Sequence, residues 1–183
     1  TEAYCRVASM LSERLGMGDK TEFRHGSALD MPFDDERFDV VWTEHAQMNI
    51  EDKHQFYSEI RRVLKPNGRL VFHDIFQGDG GDLHFPVPWA DDPSISSLIE
   101  PYVLRPLLDG LGLNVVEWKD VTKTAMEWFR KAIERVMQSG PSPFGLHLLM
   151  GRNAGSKFEN MARKLREGRV AVVQAVLEKR RDF

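Results

Sequence analysis

The stretch RHGSALDMPFDDERFDVVWTEHAQMN, residues 24–49, decides the fold. Within it FDVVWTEHA (38–46) predicts a strand, because Val40-Val41-Trp42 is the unbroken apolar run of a strand covered on both faces. TEFRHG (21–26) reads as a second, shorter strand just before it, and SALDMPFDDER between them is a proline-bearing acidic turn. Downstream, IEDKHQFYSEIRRVLKPNGR (50–69) predicts an amphipathic helix with Phe56, Ile60, Val63 and Leu64 on its apolar stripe, ended by Pro66-Asn67-Gly68. RLVFHDIF (69–76) is the next strand. Upstream, AYCRVASMLSERLGMGD (3–19) places Tyr4, Val7, Ala8, Leu11 and Leu15 at helical spacing, with Gly16 where a helix end favours a left-handed residue.

Helix, strand, helix, strand in this order predicts an α/β chain with a Rossmann-like, mainly parallel sheet flanked by helices. The segment QGDGGDLHFPVPWADDPS (77–94) holds too many Gly, Pro and Asp for regular structure, and its length marks a functional loop. Beyond it the sequence predicts a helix around SSLIEPYVLRPLLDGLG, started or kinked by a proline, and a strand at LNVVEWKDV. Two helices, TAMEWFRKAIERVMQS and GSKFENMARKLREG, and a final strand VAVVQAVLEKR follow. No repeat or linker divides the chain, so residues 1–183 read as one domain.

Composition narrows the function. With 183 residues, 42% of them hydrophobic, the chain can bury one substantial core. A net charge of −3 provides no basic field, which argues against nucleic acid as a partner. One cysteine, Cys5, excludes an internal disulfide framework and a cysteine-rich zinc site; with no apolar run long enough for a membrane span and no signal-like start, a cytoplasmic protein is expected. Walker, nucleophile-elbow and HExxH patterns are missing, and Gly16-Met17-Gly18 follows a helix rather than a strand, so it is a helix-end turn and not a dinucleotide loop.

In an open parallel sheet, ligands gather at the carboxyl ends of the strands. Three such ends carry polar groups straight after apolar runs: His25 to Asp30, Trp42 to His45, and His73 to Phe76. Taken together, GSALDMPFDDERFDVVWTEHA and the following RRVLKPNGRLVFHDIF resemble the middle of a class I S-adenosylmethionine-dependent methyltransferase of type 11, with Ser27 at a usually acidic position and Asn67 before Gly68. The paired late helices and the final AVLEKR strand are most similar to the sarcosine and dimethylglycine N-methyltransferase branch.

The resemblance implies S-adenosylmethionine as cofactor and a small-molecule acceptor, an amine nitrogen in that branch. It places Ser27, Ala28 and Leu29 along the adenine, although alone they read equally well as a tight turn. It places Thr43 and Glu44 at the methionine end, where Glu44 read singly is a solvated carboxylate. It sets His45 facing the methyl group as the candidate catalytic residue, against the commoner structural role of a lone histidine. Residues 76–94 and 121–168 become the substrate-side loop and helices, with His84, Trp89 and His147 as acceptor-side candidates and packing as the alternative for each. No metal site is implied.

The resemblance also implies a glycine-rich cofactor loop on a first strand, then a helix and a second strand, which do not occur in this sequence. The chain is therefore expected to be an N-terminally truncated domain, with an exposed sheet edge open to homo-oligomer pairing. The alternative function is a non-catalytic α/β module acting through assembly or binding.

Overall fold

The computed structural model describes residues 1–181. Its sheet is built from β1 (Phe38–Glu44), β2 (Leu64–Gln77), β3 (Leu113–Asp120) and β4 (Val170–Lys179), in the order β1-β2-β4-β3. β1 and β2 are parallel, in register from Val40 opposite Arg69 to Glu44 opposite His73. β4 lies between β2 and β3 and is antiparallel to both. Three strands thus point one way while two of the three pairings are antiparallel. The expected mainly parallel sheet is a mixed one, because the chain returns through β4 into the gap between β2 and β3.

The helices are α1 (Glu2–Arg14), α2 (Lys53–Val63), α3 (Pro101–Gly110), α4 (Thr122–Ser139), α5 (Leu146–Met150) and α6 (Ala154–Arg166). α2 starts where the Asp52 carboxylate accepts the Gln55 N–H at 2.8 Å. It ends before Pro66, which lacks the N–H that a further helical turn would need. The turn that follows puts Asn67 at a φ of 62°, and a Cβ on Gly68 would stand 2.8 Å from the Lys65 carbonyl oxygen, so only glycine fits there. Ladder pairing already begins at Leu64, opposite Phe38, and resumes after this turn at Arg69.

One sheet face, carrying Leu70, Phe72, Phe76, Val173, Ala175 and Leu177, packs against Phe56, Tyr57 and Ile60 of α2 and Leu104 and Leu108 of α3. The opposite face, by strand alternation, is covered only toward the carboxyl end of β2, where Ile75, Val170 and Val172 meet Met161 and Leu165 of α6. The rest of that face is an open groove of about 240 Å³ lined by Trp42, His73, Glu117, Lys119, Gln174 and Val176.

Two expectations need correction here. Residues 21–26 form no strand, for they share a ladder with none of the four strands among the described residues. β1 is not covered on both faces: Val41 packs on the main core, but Trp42 is 70% exposed and Val40 is exposed beside it. The apolar stripe of α1 also faces outward, with Tyr4, Leu11 and Leu15 all exposed.

Candidate functional site

The acidic turn is positioned by α2. Glu59 Oε2 accepts the Met31 N–H at 2.7 Å, and Arg62 donates to the carbonyls of Phe33 at 2.7 Å and Met31 at 3.0 Å and to Asp35 Oδ1 at 2.8 Å. Arg62 also bridges to both oxygens of Glu59, and this forked pairing holds the Glu59 carboxyl below its usual pKa. Gln55 adds a bond from Nε2 to the Leu29 carbonyl at 2.9 Å. A helix one crossover away thereby fixes residues 29–35 by side-chain bonds to their main chain.

The turn so held faces an open depression of about 650 Å³ lined by Ser27, Ala28 and Leu29 on one side and Asn49, Ile50, Glu51 and Asp52 on the other. Ala28, Leu29 and Ile50 present apolar walls and rest on the main core, with polar Ser27, Asn49 and Asp52 at the rim. Ser27 Oγ accepts the Leu29 N–H at 3.1 Å, so its hydroxyl shapes the turn. The second half of this wall, residues 49–52, escaped the sequence reading. The signal for it was the N-cap Asp52, which marks where α2 begins and hence which residues precede it at the strand ends.

Beside the depression, β1 ends at Glu44 and the His45 N–H donates to the His73 carbonyl at 3.0 Å. His45 then takes a φ of 49°, which an L-residue adopts at a steric cost, and turns its ring outward. The ring packs edge to face on His73, with centroids 5.0 Å apart, and His73 Nδ1 in turn lies 2.9 Å from Gln174 Nε2. Partial desolvation and then the neighbouring His73 lower the His45 pKa, while Asp74 and Glu44 act the other way. A neutral imidazole at neutral pH is the result.

Behind His45 lies a set of buried polar groups. Asp74 is fully buried, and burial raises its pKa despite N–H bonds from Gln47, Ile75 and Ala46. Lys53 is buried too, with its pKa pushed down by desolvation to about 8 against the opposing charges of Asp74 and Glu51. The Thr43 and Tyr57 hydroxyls and the Gln47 amide oxygen are buried without a hydrogen-bond partner among the described residues. Burial, then the Asp74 charge, keeps the Tyr57 phenol protonated.

The acceptor-side candidates fall elsewhere. Trp89 packs against the Ile75, Met161 and Leu165 cluster and donates its indole N–H to Ser96 Oγ at 3.0 Å, which gives it a packing role. His84 is exposed on the same loop, and His147 sits half-buried on the short α5. None of the three lines the depression bounded by residues 27–29 and 49–52. The loop of residues 76–94 is nonetheless tied to that depression. Asn49 Nδ2 donates to the carbonyls of Trp89 at 3.1 Å and Ile95 at 2.6 Å. At its start, the Gly78 and Gly80 amides bond the carbonyls of Arg169 and Gly168, both at 2.9 Å. No helix among the described residues is long and apolar enough to cross a membrane, and no group of three metal-ligating side chains occurs among them.

Residues 2–72 match the family model described as a methyltransferase domain. The glycine/sarcosine/dimethylglycine N-methyltransferase of Actinopolyspora halophila is 30% identical over 119 residues, covering 65% of this chain and 21% of the relative. The demethylmenaquinone methyltransferase of Clavibacter sepedonicus is 31% identical over 125 residues, covering 65% and 49%. The chain thus spans about half or less of the length of these relatives. Among solved structures, a putative sarcosine dimethylglycine methyltransferase from Galdieria sulphuraria superposes with a TM-score of 0.78 at 19% identity, covering 98% of this chain and 67% of that one. A geranyl diphosphate C-methyltransferase from Streptomyces coelicolor A3(2), in complex with Mg2+, geranyl diphosphate and S-adenosyl-L-homocysteine, gives 0.74 at 16%, covering 97% and 59%. Residues 2–72 are thus similar in sequence to a methyltransferase domain, and the chain shares the Rossmann-like fold of the superposed structures.

Proposed function

We propose that the chain forms part of an enzyme that transfers a methyl group from S-adenosylmethionine to a small-molecule acceptor, an amine nitrogen being the acceptor atom. The observation that carries this reading is the depression where the turn of residues 27–29 meets residues 49–52. Its apolar walls and polar rim suit a purine nucleoside, with Ser27, Ala28 and Leu29 along the base. Thr43 and Glu44, at the end of β1, are assigned to the methionine end. The amine assignment is supported by the likeness to the Actinopolyspora and Galdieria proteins.

When bound, the cofactor supplies an electrophilic methyl carbon on a sulfonium sulfur. Displacement at such a carbon needs alignment, a neutral nucleophile and exclusion of water. His45, neutral at physiological pH and exposed at the strand end, is assigned the proton of an ammonium acceptor, which it takes so that the nitrogen lone pair is free. Residues 76–94, held to Asn49, and the helices within 121–168 are assigned to the acceptor side.

Calorimetric titration with S-adenosylhomocysteine tests the reading. A dissociation constant of about 1 to 100 micromolar, lost in a Leu29→Glu variant, is expected. No heat from the parent chain, or unchanged affinity in the variant, rejects the assignment of this depression. A second reading, assembly through β1, is favoured by the exposed Val40 and Trp42 on a strand whose outer edge has no partner among the described residues.

A further inference from the structure

A buried carboxylate with no cation bonded to it is costly, and Asp74 is one among the described residues. What compensates it is main chain. Asp74 Oδ2 accepts the N–H groups of Ala46 and Gln47, both at 3.1 Å, and Oδ1 accepts that of Ile75 at 2.9 Å. The first two are the amides that follow His45, and they point at the carboxylate only because His45 reverses the chain through its left-handed conformation. The short 3-10 turn of residues 47–49 follows immediately.

On the carbonyl side of the same turn stands a buried cation. Lys53 Nζ donates to the carbonyls of Gln47 at 2.6 Å, of Ser97 at 2.6 Å and of Ile50. The turn therefore has an anion against the N–H groups at its start and a cation that bonds the carbonyl of its C-cap, Ile50, together with that of Gln47, which also accepts the Ile50 N–H. An apolar residue at position 74 would pack in this core with less desolvation, yet it would leave the amides of Ala46 and Gln47 unbonded and give nothing to hold the reversal at His45.

We infer that Asp74 is a positioning residue for the candidate site: its carboxylate, acting with Lys53, holds residues 45–50 so that the His45 ring is presented outward at the carboxyl end of β1 while Asn49 and Ile50 form the wall opposite Leu29. The inference rests on the proposed cofactor and acceptor reading of this region. Asp74 touches neither; it acts through the main chain of the turn.

The test compares the parent chain with Asp74→Asn, whose amide keeps one acceptor oxygen and cannot receive all three N–H bonds. Two quantities are read: affinity for S-adenosylhomocysteine by calorimetry, and the nuclear magnetic resonance shifts of the Ala46 and Gln47 amides and the His45 ring. The expected result is a cooperatively folded variant with at least a tenfold loss of affinity and upfield movement of both amide protons, as carboxylate hydrogen bonds are lost. A folded variant that binds within twofold of the parent overturns the inference, as does lost affinity with unmoved Ala46, Gln47 and His45 signals. If the parent binds no S-adenosylhomocysteine, the cofactor reading fails on its own, and the amide and ring shifts still decide whether Asp74 sets the turn. Should Asp74→Asn not fold, the His45→Gly, Asp74→Asn double variant decides. Glycine accepts the reversal without strain, so regained cooperative melting supports the inference and a still unfolded chain overturns it.

Discussion

Lys53 shows how a single side chain in this site couples charge to stability. Its three carbonyl partners hold the ammonium group while desolvation depresses its pKa to about 8. The unfolded chain has an ordinary lysine near 10.4. Between these values the unfolded state binds more protons than the folded one, so the Lys53 contribution to stability rises with pH across that window and is flat below it. Urea unfolding of parent and Lys53→Met between pH 7 and 10.5 should show a rise in the parent relative to the variant of up to about 3 kcal/mol; parallel curves would refute the buried-cation account. Arg62 is a contrasting case, since its bonds reach outward to the turn at Met31, Phe33 and Asp35 and back to Glu59. Arg62→Ala leaves the buried Glu59 carboxylate without its partner and frees the turn. A loss of about 2 to 4 kcal/mol is expected on denaturant unfolding, with weakened S-adenosylhomocysteine binding.

At the scale of elements, legibility followed the range of the interactions. α2 and its stripe were readable because the 3.6-residue period and the stop at Pro66 are both local signals. The final strand was readable from its apolar content, but its place between β2 and β3 was not, because pairing partners are chosen over roughly a hundred residues of separation. Residues 21–26 have the composition of a strand and no ladder, which shows that strand propensity expresses itself only against a neighbour. For the candidate site, the turn of residues 27–29 and the end of β1 stood out in the sequence as polar groups after apolar runs. Asp74 stood out only as part of the polar strand end His73 to Phe76 and Lys53 not at all, since nothing local says that their charges are buried. The loop after β2 carried its own signal in Gly78 and Gly80, yet the reason appears only in space: a Cβ on Gly80 would lie 2.1 Å from the Glu167 carbonyl oxygen. Gly80→Ala must push the loop off the α6–β4 connection, at an expected cost of about 1 to 3 kcal/mol in thermal or denaturant unfolding. An unchanged midpoint would mean that the close approach is not kept in solution.

At the scale of the whole molecule, the distribution of covered and open surface is asymmetric. α2 and α3 close one sheet face, whereas on the other the α4–α6 layer stops at the carboxyl end of β2 and leaves Trp42, His73, Gln174 and Val176 lining a groove. β1 bounds this groove with an edge that has no ladder partner among the described residues, and its Val40 and Trp42 are exposed. Natural edges are usually blunted by lysine, proline or a covering element, and the outward positions of β1 from Val40 to Glu44 offer only the terminal carboxylate. Pairing of two chains edge to edge would satisfy the free β1 amides and carbonyls and bury both tryptophans. Sedimentation velocity from micromolar to near-millimolar concentration should then show a coefficient that rises with concentration in the parent and stays at the monomer value in Val40→Lys, Trp42→Lys. Since both substitutions fall on exposed side chains, melting should change by no more than about 0.5 kcal/mol. A parent that sediments as a strict monomer throughout would remove assembly through β1 as a reading of this surface.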